Sequence, residues 1–83
     1  MEQIARTSPQ LGAAVRRRRK QLELSQGQLG ARINLRQATI SKLEAGEPAT
    51  QLKTLLDALA ALDLEILIRP RTKGAAADIE ALF

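Results

Sequence analysis

A chain of 83 residues is one small domain, marginal in the surface it can bury and helped by any association that covers more of it. With no cysteine and no histidine it lacks a disulfide framework, a thiolate metal site and the commonest general base, so the composition argues against an enzyme, a metal site or a cofactor. The net charge of +4 is unevenly placed: residues 1–46 carry nine Lys and Arg against three Asp and Glu, residues 47–83 four against six, and a basic front half suits a polyanionic partner.

Residues 1–7 read as a flexible N-terminus without the apolar stretch of a signal peptide, and no apolar run approaches the length that crosses a bilayer. The expected location is cytoplasmic, with no membrane partner. Ser8 and Pro9 then signal a helix start, a capping oxygen followed by a residue with helical φ and no N–H to satisfy. The helix is expected to run to about Leu22, with Leu11, Val15 and Leu22 forming one apolar stripe beside Ala14. Ser25 repeats the capping logic and opens a short helix from Gln26 to Arg32 that carries Leu29, with Ile33 after it. Asn34 tolerates the left-handed backbone of a tight turn.

A third helix is predicted from about Arg36 to Ala45, with Ile40 and Leu43 inward and Gly46 as its stop. Thr50 is the expected cap of a fourth, from Gln51 to about Leu62, in which Leu52, Leu55, Leu56, Leu59 and Leu62 recur at three and four residues. The pattern changes at Leu64, where Leu64, Ile66 and Ile68 alternate over 64–71 like a strand limited by Pro70. No second strand pattern exists in the chain to pair with it, so the economical partner is the same segment of a second copy across a two-fold axis. Residues 72–83 read as a flexible tail, with Leu82 and Phe83 at its end as a candidate partner anchor or protease handle. The fold class is therefore mainly α, a four-helix domain over 8–63 followed by a dimerising strand.

Within the domain, Gln26 to Ala45 meets the requirements of two helices crossing steeply. Gly30 is the small residue at the contact, Leu29, Ile33, Ile40 and Leu43 are the core, and Asn34 is the turn. Leu24-Ser25-Gln26, Leu29-Gly30, Ile40-Ser41 and Glu44-Ala45-Gly46 resemble the XRE or phage-repressor type of helix-turn-helix, a lambda-repressor-like fold. Glycine stands at Gly30 where that family usually has alanine, and Asn34 where it usually has glycine.

The resemblance implies a third helix that reads double-stranded DNA in the major groove. Arg36, Gln37, Ala38, Ser41 and Lys42 are then the base-contacting candidates. Gln37 suits adenine N6 and N7, Arg36 or Lys42 suits guanine O6 and N7, and Ala38 suits a thymine methyl. Gln26, at the first turn of its helix, and Thr39 are the phosphate candidates. The same resemblance implies a salt bridge between Arg19 and Glu44 that ties the first helix to the third. Arg16 to Lys20, five consecutive residues spread around a helix, are not expected to make one patch, with at least one facing the core and Arg16, Arg17 and Lys20 left to help the field.

Four helices followed by a strand and a tail, together with the string Gln37-Ala38-Thr39-Ile40-Ser41, are similar to the HipB-type antitoxins. That likeness implies a homodimer on a palindromic operator near the nucleoid, an autorepressor that also neutralises a HipA-type Ser/Thr kinase toxin. The alternative is a stand-alone XRE-family repressor with no toxin. An enzyme is the third class. Its candidate acids Glu23, Asp57, Asp63 and Glu65 stand at no catalytic spacing, and no His, Cys or Tyr is present to assist them.

Overall fold

The computed structural model describes residues 2–71, which form four helices: α1 (Ser8–Gln21), α2 (Gln26–Arg32), α3 (Gln37–Glu44) and α4 (Leu52–Ala61). The cap of α1 is Thr7 and not Ser8, its Oγ1 accepting from the Gln10 amide at 3.2 Å, so that Pro9 sits one position deeper than expected. The shift costs little, because first-turn N–H groups have no partner inside a helix and proline loses nothing at either place. Ser25 caps α2, accepting from the Gln28 amide at 3.0 Å, and the Gln28 side chain returns the bond by accepting from the Ser25 amide at 2.7 Å. The Thr50 amide closes a turn by donating to the Glu47 carbonyl at 3.1 Å. The cap of α4 passes to Gln51, one residue later than expected and without a side-chain bond.

All four helices stop by the same device. The residue after each C-cap is left-handed: Glu23 (φ 58°), Asn34 (59°), Gly46 (85°) and Asp63 (59°). The next amide then reaches back to a carbonyl of the last turn, Leu24 to Arg19 at 3.1 Å, Leu35 to Gly30 at 2.9 Å, Glu47 to Lys42 at 3.1 Å and Leu64 to Leu59 at 2.8 Å. Carbonyls that the helix itself leaves unpaired are thereby satisfied.

Val15, Leu29, Ile40, Leu43, Ala58, Leu59 and Leu62 form the buried core, with Leu24, Ile33, Leu55, Ala61 and Leu64 packed against it. Helix α3 lies against both α1 and α2, and α4 against α2. Two glycines let backbones meet. A Cβ on Gly12 would stand 2.5 Å from the carbonyl oxygens of Leu43 and Glu44, and one on Gly30 would stand 2.5 Å from that of Leu35. The helix propensity given up at Gly30 is thus the condition for seating the α2–α3 turn.

The leucine stripes are less fully buried than their spacing implies. Leu22 is the exposed C-cap of α1, while Leu52 and Leu56 of α4 are 66% and 45% exposed. Residues 64–71 carry no regular secondary structure, and beyond Leu64 none of them makes a backbone hydrogen bond to another described residue. No strand forms at Leu64, Ile66 and Ile68, and among the described residues there is no second strand to build a ladder with. Ile66, Leu67 and Ile68 are exposed. The tail 72–83, with Leu82 and Phe83, lies outside the described residues. Among the described residues, no helix is long and apolar enough to cross a membrane, and no cluster of acids could hold a metal ion.

Candidate nucleic-acid interface

Helix α3 owes its position to the turn that precedes it. Gly30 brings the Leu35 carbonyl onto α2, Asn34 reverses the chain, and Ile40 and Leu43 fix the inward face. The opposite face is open. Arg36, Gln37, Ala38, Ser41 and Lys42 are all exposed, and Gln37 with Ser41, like Ala38 with Lys42, are four apart and therefore stacked along the helix. Thr39 is half-buried and stands outside that exposed row, while Gln26 is half-buried at the start of α2.

Beneath this surface lies a polar chain. Arg19 of α1 grips Glu44 of α3 with two bonds, Nε to Oε2 at 2.6 Å and Nη2 to Oε1 at 3.0 Å, and its Nη1 donates to the Leu24 carbonyl at 2.7 Å. The two side chains are only 8% and 3% exposed. Gln26 Nε2 donates to Glu44 Oε1 at 3.1 Å, and Gln37 Nε2 donates to Gln26 Oε1 at 3.4 Å. A buried ion pair is thus linked through one amide to the exposed face of α3. Both charges are held in their ionised forms. Burial pushes the Glu44 carboxyl upward, but the hydrogen bonds from Arg19 and Gln26, with the charges of Arg19 and Arg16, outweigh it and leave the carboxyl below its ordinary value. The bond to Glu44 raises Arg19 against the opposing effect of burial.

The geometry fixes what each amide has left to offer. One Gln26 N–H is engaged by Glu44, leaving the other for an anion. Gln37 keeps its carbonyl oxygen and one N–H, the acceptor and donor pair that the edge of adenine requires. Sequence spacing placed Gln26 and Gln37 in different roles and did not reveal that they touch. Its one available signal was the reach of a glutamine across a helix crossing.

The basic run divides. Arg19 faces inward, and Arg18 donates from Nε to the Leu62 carbonyl at 3.0 Å, closing the end of α4. The five therefore make no single patch, as expected, and the other three, Arg16, Arg17 and Lys20, line one groove with Ala13, Gln21 and Glu44. Five consecutive residues circle a helix, but positions i, i+1 and i+4 share a face.

A crossed pair of helices with the second presented to solvent on a pinned base defines a helix-turn-helix domain. The helix-turn-helix family model matches residues 15–68, and the chain belongs to that family, in its XRE type. Among solved structures the chain is similar to HipB. A HipB–O4 20mer complex superposes with a TM-score of 0.80 at 30% identity, covering 86% of this chain and 100% of that one. A HipA–HipB–O2–O3 complex gives 0.79 at 30% identity, covering 86% and 100%. An MDT protein gives 0.79 at 30% identity with the same coverage. No curated protein matches the chain.

Proposed function

We propose that this protein is a sequence-specific DNA-binding antitoxin and autorepressor, which binds an inverted-repeat operator as a homodimer and restrains a HipA-type Ser/Thr kinase. The observation that carries the reading is the exposed row Arg36, Gln37, Ala38, Ser41 and Lys42 on a helix held by the Arg19–Glu44–Gln26 chain. Side chains that must read base edges gain specificity when their backbone cannot drift, and this one is anchored on two sides. In this reading Gln37 takes adenine, Arg36 or Lys42 takes guanine, and Gln26 and Thr39 take phosphates. The kinase partner is supported by the likeness to HipB, one of whose complexes contains HipA.

The dimer is supported by what the single chain leaves undone. Residues 65–71 have no backbone partners among the described residues, and Ile66 and Ile68 are 49% and 89% exposed. Pairing Leu64, Ile66 and Ile68 with the same segment of a second copy satisfies the backbone and covers the side chains.

Selection of bound sites from random duplexes tests recognition and symmetry together. The expected product is a palindrome. An unselected pool overturns the DNA-reading role, and a non-palindromic site overturns the symmetric dimer. Gln37→Ala is expected to cost about 1–3 kcal/mol on the selected site and to relax preference at one base pair. Co-expression with a HipA-type kinase is expected to abolish that kinase's activity. A kinase left fully active favours the stand-alone repressor.

A further inference from the structure

The groove on α1 is unexplained by the contacts of α3. Arg16, Arg17 and Lys20 are exposed and line it together, yet the ion pairs among the described residues are Arg19–Glu44 and Lys53–Asp57, so none of the three makes an ion pair, and Arg16 reaches Glu44 only through the field of its charge. Arg17 is bonded only to the neutral side chain of Gln3. Glu44 is the one acid lining the groove, and it is already gripped by Arg19 and Gln26. Three neighbouring cations that repel one another on a single helix face make a site suited to an external anion.

The position of the groove says which anion. Glu44 lies at its margin, Glu44 accepts from Gln26, and Gln26 touches Gln37, so the basic face and the exposed face of α3 are joined by one chain of contacts. On the DNA-reading role proposed above, a duplex seated on Gln37 would carry its backbone past this edge. We propose that Arg16, Arg17 and Lys20 form a second phosphate-binding face, on α1, that takes the phosphodiester backbone of the same duplex whose major groove α3 enters. The proposal depends on the DNA-reading role above. It assigns to α1 a share of affinity that carries no base sequence.

The test replaces all three residues together, Arg16→Gln, Arg17→Gln and Lys20→Gln, at exposed positions where the fold is expected to survive with its melting temperature unchanged. Affinity for the selected site and for a scrambled duplex is measured between about 50 and 200 mM salt. Each lost phosphate contact makes the plot of log affinity against log salt shallower by about 0.9, so the expected change is about two to three per protomer, equal on both duplexes and with base preference intact. An unchanged slope in a folded variant overturns the proposal while the wild type's selected sequence still upholds DNA reading. A wild type that selects no sequence removes both. Loss of kinase restraint with an unchanged slope assigns the face to the protein partner and overturns the duplex. Inorganic phosphate separates the backbone from a free anion: saturable thermal stabilisation of the wild type, absent in the variant and with DNA slopes alike, also overturns it.

Discussion

The junction of α1, α2 and α3 and the stretch from α4 through residue 71 are built on opposite terms. At the junction, polar groups are saturated and backbones touch: Glu44 accepts from Arg19 and Gln26, and Gly12 and Gly30 lie against carbonyls. In the later stretch, Leu52, Leu56, Ile66, Leu67 and Ile68 stay in water, and residues 65–71 lack backbone partners among the described residues. The difference teaches that the helix-turn-helix junction is self-contained, while on the proposed function the other half would be completed by association. The two regions therefore ought to respond to different insults, the first to side-chain truncation and acid, the second to dilution.

The largest effect is expected at the ion pair. Arg19→Ala or Glu44→Ala leaves a buried charge without its partner and should cost about 3–5 kcal/mol in denaturant unfolding. Removing both with apolar replacements, Arg19→Met with Glu44→Leu, should cost much less than the sum, because no charge is then stranded. A sum that is simply additive breaks the picture of a coupled pair. Acid probes the same contact without mutation. The Glu44 carboxyl lies below its ordinary value of 4.5 in the folded state, so its contribution is fully present above that value and is lost as pH falls through the lower, folded one. Stability of the wild type should decline on that acid limb, and Glu44→Gln should decline less steeply.

Dilution tests the second region. Ile66→Lys places a charge where the proposed strands meet and should weaken association about a hundredfold or more, about 3 kcal/mol, read by sedimentation. Ile66 is half exposed in the single chain, so the monomer's own melting should barely move. A variant still dimeric at the same concentration would falsify pairing through 64–71.

Glycine distinguishes the regions by geometry. Gly12→Ala forces a methyl to 2.5 Å from two backbone oxygens and should cost about 1–3 kcal/mol, whereas Gly27, whose Cβ would meet only Ser25 Oγ at 3.9 Å, should accept alanine with no loss. Equal effects at the two positions would mean that α1 and α3 move apart easily.

These particulars mark how far the sequence was legible. The caps, turn formers and apolar spacing around Ser25, Asn34, Gly46, Leu29, Ile40 and Leu43 act within a few residues, and each was found where expected. Thr7 against Ser8, and Gln51 against Thr50, differ by one place because two neighbouring polar residues offer nearly the same start. Gly12, Arg18 and the Gln26–Gln37 contact were invisible because each depends on a residue far along the chain that only the tertiary crossing brings near. The exposed leucines of α4 were misread for a related reason: a stripe shows that a face is apolar, not whether its own chain covers it.

The smallest expected effect concerns how the helices end. Asn34 and Gly46 are residues suited to a left-handed backbone, but Glu23 and Asp63 adopt φ near 58° and 59° as well, with a Cβ that crowds the carbonyl. They are held there by the amides of Leu24 and Leu64, which bond back to Arg19 and Leu59 while their side chains pack on the core. The strain is local, and glycine removes it while adding freedom to the unfolded chain. Glu23→Gly and Asp63→Gly should therefore each stabilise the domain by about 0.5–1 kcal/mol, a few degrees in melting temperature. If Asp63→Gly instead destabilises while Glu23→Gly does not, the end of α4 relies on its stiffness to aim residues 64–71, and the later half is more ordered before association than its exposed side chains imply.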